Sequence, residues 1–148
     1  MSAYRELSTD DLERVRRMAG ATALRDCRPI TAGIENSNWF VTLEHDGREH
    51  AFVLTLVEAV TPEELPFFIA LTDTLAEADL PVPMALRLAD GARQFQLHDR
   101  PALLVPRLPG THVDRPSSGA CRAVGAMLAQ LHDAARRCPL RREQPDHR

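Results

Sequence analysis

The run Asn38-Trp39-Phe40-Val41-Thr42-Leu43, the turn signal His45-Asp46-Gly47 and the apolar run His50–Val57 together decide the fold class. Asp-Gly between two such runs marks a β-hairpin, because the tight turn needs positive φ at its central residues. Cys27–Ala32 reads as a strand before them. Three strands in succession, joined by short connections, pair antiparallel rather than through crossovers.

Outward toward the amino terminus, Ser8-Thr9-Asp10-Asp11 opens a helix, with Ser8 or Thr9 as cap and acids in its first turn. Leu12, Val15 and Ala19 give it one apolar face, ending near Ala21. In the other direction, Thr61-Pro62-Glu63-Glu64 opens a second helix, with Phe68, Leu71, Leu75 and Ala78 at helical spacing. Pro66 inside that pattern moves the first turn nearer Leu65, and Asp79–Pro83 ends it. Met84–Leu88 and Arg93–Leu97 then read as short strands around Asp90-Gly91, and Ala102–Arg107 as a strand stopped by Pro109-Gly110. After a proline-serine linker, Cys121, Val124, Leu128, Leu131 and Ala135 make a helical stripe over about Ser118–Arg137, in which Gly125 costs about 1 kcal/mol relative to alanine. Cys138–Arg148 is polar and unpatterned. The order β-β-β-α-β-β, linker, helix predicts an α+β chain: a five-stranded antiparallel sheet with one packed helix, then a further helix.

Composition narrows the function. The 148 residues are 44% hydrophobic and 26% charged, ordinary for a globular chain with one core. No apolar stretch reaches the ~18 residues of a membrane span, and Met1–Asp11 has no signal-peptide core, so the expected location is the cytoplasm and no membrane partner is expected. Cys27, Cys121 and Cys138 are an odd number at wide spacing and read as reduced thiols. All 18 basic residues are arginine, against 21 acids, which speaks against nucleic acid as a partner. The missing lysine excludes Schiff-base chemistry and any lysine on a phosphate. Neither C-x-x-C nor H-E-x-x-H occurs, so no metal ligands are assigned, and no G-x-S-x-G elbow is present.

Two segments carry candidate binding residues. Ala32-Gly33-Ile34-Glu35-Asn36-Ser37-Asn38 joins the first two strands; by itself it reads as a plain β-turn, but a polar connection with one glycine can also aim backbone amides at a phosphate. Ala102–Gly110 reads as a buried strand ending in a turn, or as a link between two lobes whose backbone faces an adenine edge. There Pro106 offers only its carbonyl, and Leu108 offers its N–H.

The element order matches the small lobe of the protein-kinase-like fold, and particular residues sharpen the match. The chain resembles the aminoglycoside-phosphotransferase-like kinases, within them the homoserine kinase branch, through Gly33–Asn38, Phe52–Glu58, Glu64–Leu71, Leu80–Pro83, Pro106–Gly110 and Gly125–His132. The Pro-Val-Pro, Leu-Pro-Gly and Leu-His pieces are general to the superfamily; Glu35–Asn38, Val53–Leu56 and Glu64–Phe68 carry the branch. The resemblance implies transfer of the ATP γ-phosphoryl group to the hydroxyl of L-homoserine, with Mg2+, on the way to threonine. It implies a cofactor site at Gly33, Ser37, Asn38, Thr55, Pro106 and Leu108, with phosphate on the turn and adenine at Pro106 and Leu108. In kinases the third strand carries a lysine on the phosphates, held by a helix glutamate. Here Thr55 stands at the strand position, while the helix presents Phe68 and Ala70. Both partners are gone together, as the cost of an unpaired buried charge requires.

The resemblance further implies a catalytic loop, with an aspartate base and magnesium ligands, in a large lobe. Nothing from His132 to Arg148 matches it, so catalytic residues and the ligands for magnesium are expected beyond Arg148. His132-Asp133 does not substitute, because helix neighbours point about 100° apart. The expectation is the nucleotide-binding half of a kinase, inactive alone: residues 1–108 a small lobe with hinge, 109–148 a linker and the first helix of an incomplete large lobe. Val124, Leu128 and Leu131 would then be poorly buried and favour self-association. Two other readings stay open: a sister kinase acting on choline or an aminoglycoside, and a non-catalytic interaction module.

Overall fold

The computed structural model describes residues 6–31, 35–111, 113–139 and 141. Its elements are α1 (Thr9–Met18), β1 (Ala23–Ile30), β2 (Ser37–His45), β3 (Arg48–Leu56), α2 (Leu65–Glu77), β4 (Phe95–Leu97), β5 (Arg100–Pro106) and α3 (Ser118–Ala135). The chain forms two compact units, Met1–Glu63 with Ala85–Arg107, and Glu64–Met84 with Leu108–Arg148.

In the first unit the five strands form one antiparallel sheet in the order β1-β2-β3-β5-β4. The β2–β3 hairpin turns at Asp46 and Gly47, both with positive φ (50° and 75°), as the Asp-Gly signal predicts. Its two-residue turn sets a register in which Trp39 faces Leu54, Phe40 faces Val53 and Asn38 faces Thr55. β5 extends the rows: Leu104 lies beside Leu54, Val105 beside Val53, and Leu103 beside Thr55. Alternation then divides the sheet into two faces. Trp39, Val41, Leu43, Phe52, Leu54, Leu56, Ala102 and Leu104 are buried in one core. Val15 and Ala19 of α1 join that core, so the amino-terminal helix packs on the sheet.

Three sequence expectations shift. Met84–Leu88 is not a strand. Its donors go to scattered places, from Leu86 to the Leu104 carbonyl and from Leu88 to the Ala92 carbonyl, while Ala89 bonds the Met18 carbonyl. Such single bonds fix a packed extended segment, with Ala85 and Leu88 buried, but make no ladder. Asp90-Gly91 does turn the chain, with Gly91 at φ 85°, but β4 is only Phe95–Leu97, and its hairpin with β5 turns at His98 and Asp99, at φ 51° and 58°. α1 ends at Met18 rather than Ala21, where Gly20 takes the left-handed conformation (φ 68°) that terminates helices.

Ser8 caps α1 in a capping box: the Asp11 N–H donates to Ser8 Oγ, while the Ser8 N–H and hydroxyl donate to Asp11 Oδ2. His98 Nε2 also lies 2.8 Å from Asp11 Oδ2, tying the β4–β5 turn to the helix. Burial alone would raise the Asp11 carboxyl, but the bonds from Ser8 and His98 outweigh it and hold it below its usual range. A depressed carboxyl contributes stability that is present above its unfolded value and lost as pH falls through its folded one. Asp11→Ala is therefore expected to cost about 1 kcal/mol at pH 7, and the difference from the parent to shrink in acid, as the folded carboxyl takes up its proton, in urea titrations. An equal cost at pH 7 and in acid would show the carboxylate charge to be irrelevant.

In the second unit Pro66 sits in the first turn of α2, where a missing N–H costs nothing. Thr72 and Thr74 return their hydroxyls to carbonyls one turn back, so α2 carries them without orphan donors. Leu75, Leu80 and Ala134 form a small core with Leu71, Val82 and Leu131 packed against it. On α3, Val124 and Leu128 are 68% and 49% exposed. Leu131 differs from the expectation: it is half-buried, because it lies one turn along on the side facing Leu75.

Candidate functional site

The first unit's second sheet face carries two of the sequence-predicted residues, Asn38 and Thr55. Asn38, Phe40 and Thr42 alternate with the core residues of β2, as do Val53 and Thr55 of β3, and Leu103 and Val105 of β5. The row Phe40–Val53–Val105 is apolar and half-buried. The guanidinium of Arg107 lies 4.2 Å from the Phe40 ring centroid, capping one end of the row. The neighbouring row, Asn38–Thr55–Leu103, begins polar. This face thus sets an apolar row beside one that begins polar at Asn38 and Thr55.

At that end the side chains are tied together. Thr55 Oγ1 donates to Asn38 Oδ1 at 2.7 Å, and Asn38 Nδ2 donates to the Asn36 carbonyl at 3.1 Å. Asn36 Oδ1 accepts the backbone N–H groups of Glu58 (2.8 Å) and Ala59 (3.1 Å). Ser37, the one buried polar residue among those described, sets its hydroxyl 3.4 Å from Glu58 Oε2. The structure thus gathers Ser37, Asn38 and Thr55 at the mouth of the β1–β2 connection. Gly33 lies outside the described residues. Pro106 ends β5 opposite Phe52, the Arg107 N–H bonds the Ala51 carbonyl, and Leu108 is exposed.

Sequence reading missed Asn36, Phe40 and Arg107. The signal for Phe40 was available: with the turn at Asp46-Gly47, counting outward pairs Asn38 with Thr55, and period two puts Phe40 on their face; Asn36 had none, because its partners Glu58 and Ala59 lie past the end of β3. Arg107 had no such signal, because β5 reaches β3 only through long-range pairing.

A second concavity, about 330 Å3, is lined by Glu6, Leu7, Leu12, Cys27, Pro29 and Trp39. It lies on the Trp39 face and holds none of the predicted residues. Burial, with Asp26 nearby, pushes the Cys27 thiol up to about 11, so it is no nucleophile at neutral pH. Among the described residues no three of His, Cys, Asp and Glu come together to hold a metal ion, and they do not fit a magnesium cage. No helix among them is long and apolar enough to cross a membrane.

Comparison with known proteins adds the family. Residues 26–148 match the Phosphotransferase enzyme family. The chain is 47% identical to the homoserine kinase of Pseudomonas aeruginosa over 136 residues, 92% of this chain and 42% of that protein. It is 38% identical to the homoserine kinase of Cupriavidus necator over 148 residues, 100% of this chain and 44% of that one. With that of Ralstonia nicotianae it shares 43% identity over 125 residues, 84% and 37% of the respective lengths. The chain spans less than half the length of these curated relatives.

Proposed function

The chain belongs to the phosphotransferase enzyme family, and from that membership we propose that it is the nucleotide-binding part of a kinase that phosphorylates the hydroxyl of L-homoserine. The observation that carries the substrate is the 47% identity to a homoserine kinase across nearly the whole chain. Bound ATP supplies the γ-phosphoryl group; everything else this chain does is binding and orientation. Phe40, Val53 and Val105 offer the base an apolar surface. The Pro106 carbonyl and the Leu108 N–H offer its edge an acceptor and a donor. Backbone amides near Gly33, Ser37 and Asn38 face the phosphates, beside Thr55.

The test is an NMR titration of the chain with ATP and, separately, with adenosine. ATP is expected to bind at about millimolar affinity, roughly −4 kcal/mol, because half a cleft leaves the nucleotide largely solvated. Shifts should centre on Ser37, Phe40, Val53, Val105 and Leu108. Shifts confined to the Cys27 concavity, or to α3, would overturn the assignment.

The exposed Val124 and Leu128 carry a second expectation for the isolated chain. Apolar residues one turn apart on one helix face favour self-association, so light scattering should show mass rising with concentration. Val124→Glu with Leu128→Glu should return it to a monomer; a strict monomer in the parent chain would refute the idea.

A further inference from the structure

Resting on that nucleotide-binding reading, we propose that Asn36, Asn38 and Thr55 are positioning residues that fasten the β1–β2 connection, and are not themselves phosphate ligands. A threonine hydroxyl has one proton, and Thr55 gives its proton to Asn38 Oδ1 at 2.7 Å. What Thr55 has left are lone pairs, which repel phosphate oxygens. Asn38 passes the link on, from Nδ2 to the Asn36 carbonyl. Asn36 closes the loop in the other direction, its Oδ1 accepting the N–H groups of Glu58 and Ala59 just past the end of β3. These bonds join Asn36 and Asn38, at the end of the β1–β2 connection, to Thr55 and to the chain just past β3, and none of the groups in them is charged.

The consequence is specific to a chain without lysine. Where a strand lysine holds the phosphates directly, the phosphate-side turn needs little bracing. In the proposed reading attraction falls to backbone amides, which act best when the chain that carries them is held in place before ATP arrives. The bracket holds Asn36 and Asn38 against the end of β3 through side chains that never touch the ligand.

The experiment compares affinity for ATP with affinity for adenosine in the 148-residue chain and in Thr55→Val, Asn36→Ala and the double variant, with Thr55→Ser as the rescuing substitution. Each single variant should lower the ATP-to-adenosine affinity ratio about fivefold, the change expected for one hydrogen bond. Adenosine affinity should not change, and Thr55→Ser should restore the ratio. Because both variants loosen the same turn, the double variant should lose little more than either alone. Losses that multiply to about 25-fold would make Thr55 a direct ligand and overturn the proposal. A parallel fall in adenosine affinity would reduce the bracket to general stability and overturn it too, as would an unchanged ratio in Thr55→Val. If the parent chain itself does not prefer ATP to adenosine, the nucleotide reading fails instead, and that result is separately visible.

Discussion

Leu54→Ala is expected to destabilise the first unit by about 3 kcal/mol, within the usual range for truncating a fully buried leucine. Leu54 is fully buried at the centre of the row Trp39–Leu54–Leu104, with strands on both sides. The sheet cannot close around the lost side chain without pulling β2 or β5 out of register, so most of the cavity should persist. Against a total stability of about 5–15 kcal/mol, that is a large fraction. Trp39 is the chain's one tryptophan and sits in this core, so its fluorescence reports this unit alone. The urea midpoint followed by that signal should fall sharply; a shift equivalent to less than 1 kcal/mol would mean that the rows do not carry the core.

The second large effect is on turnover. The 148-residue chain, given ATP, magnesium and homoserine, is expected to release no ADP above background. A chimera in which it replaces the matching 136-residue segment of the Pseudomonas aeruginosa homoserine kinase is expected to turn over. Phosphoryl transfer depends on a base positioned at the acceptor hydroxyl and on charge neutralisation around the phosphates. Losing even one positioned donor costs on the order of a hundredfold or more, and no cluster of metal ligands exists among the described residues. His132 and Asp133 are both exposed and, as helix neighbours, point in different directions. A coupled assay decides between the outcomes. Turnover by the chain alone would refute this division of labour. A folded chimera that binds ATP yet transfers nothing to homoserine would refute the proposed part in a homoserine kinase.

Part of the candidate site could be read before any fold was known, and the reason is local. The Asp46-Gly47 turn has two residues, so its geometry fixes which residues face each other along the whole β2–β3 hairpin. Asn38 opposite Thr55 follows by counting. The bracket around Asn36 does not, because it depends on Glu58 and Ala59 bending past the end of β3 to bring two amides to one carbonyl oxygen. Short-range signals failed where their flanks found no partner. Asp90-Gly91 is a sound turn, but Met84–Leu88 before it spends its donors on the Leu104 and Ala92 carbonyls, Ala89 turns to Met18, and no ladder forms.

By itself, then, the sequence determined the hairpin register, the Ser8 cap of α1 and the alternation that separates a core face from a second, half-buried face. Each of these is set within a few residues, by turn dihedrals, side-chain caps and the period of a strand. Only the tertiary structure decided that β5 lies beside β3 rather than at an edge, that Arg107 covers Phe40, and that α1 contributes to the sheet's core. Those contacts join residues far apart in the chain, with no tight turn between them to impose a register. They are chosen by which arrangement buries Leu54 and Leu104 together, and that is a property of the assembled core.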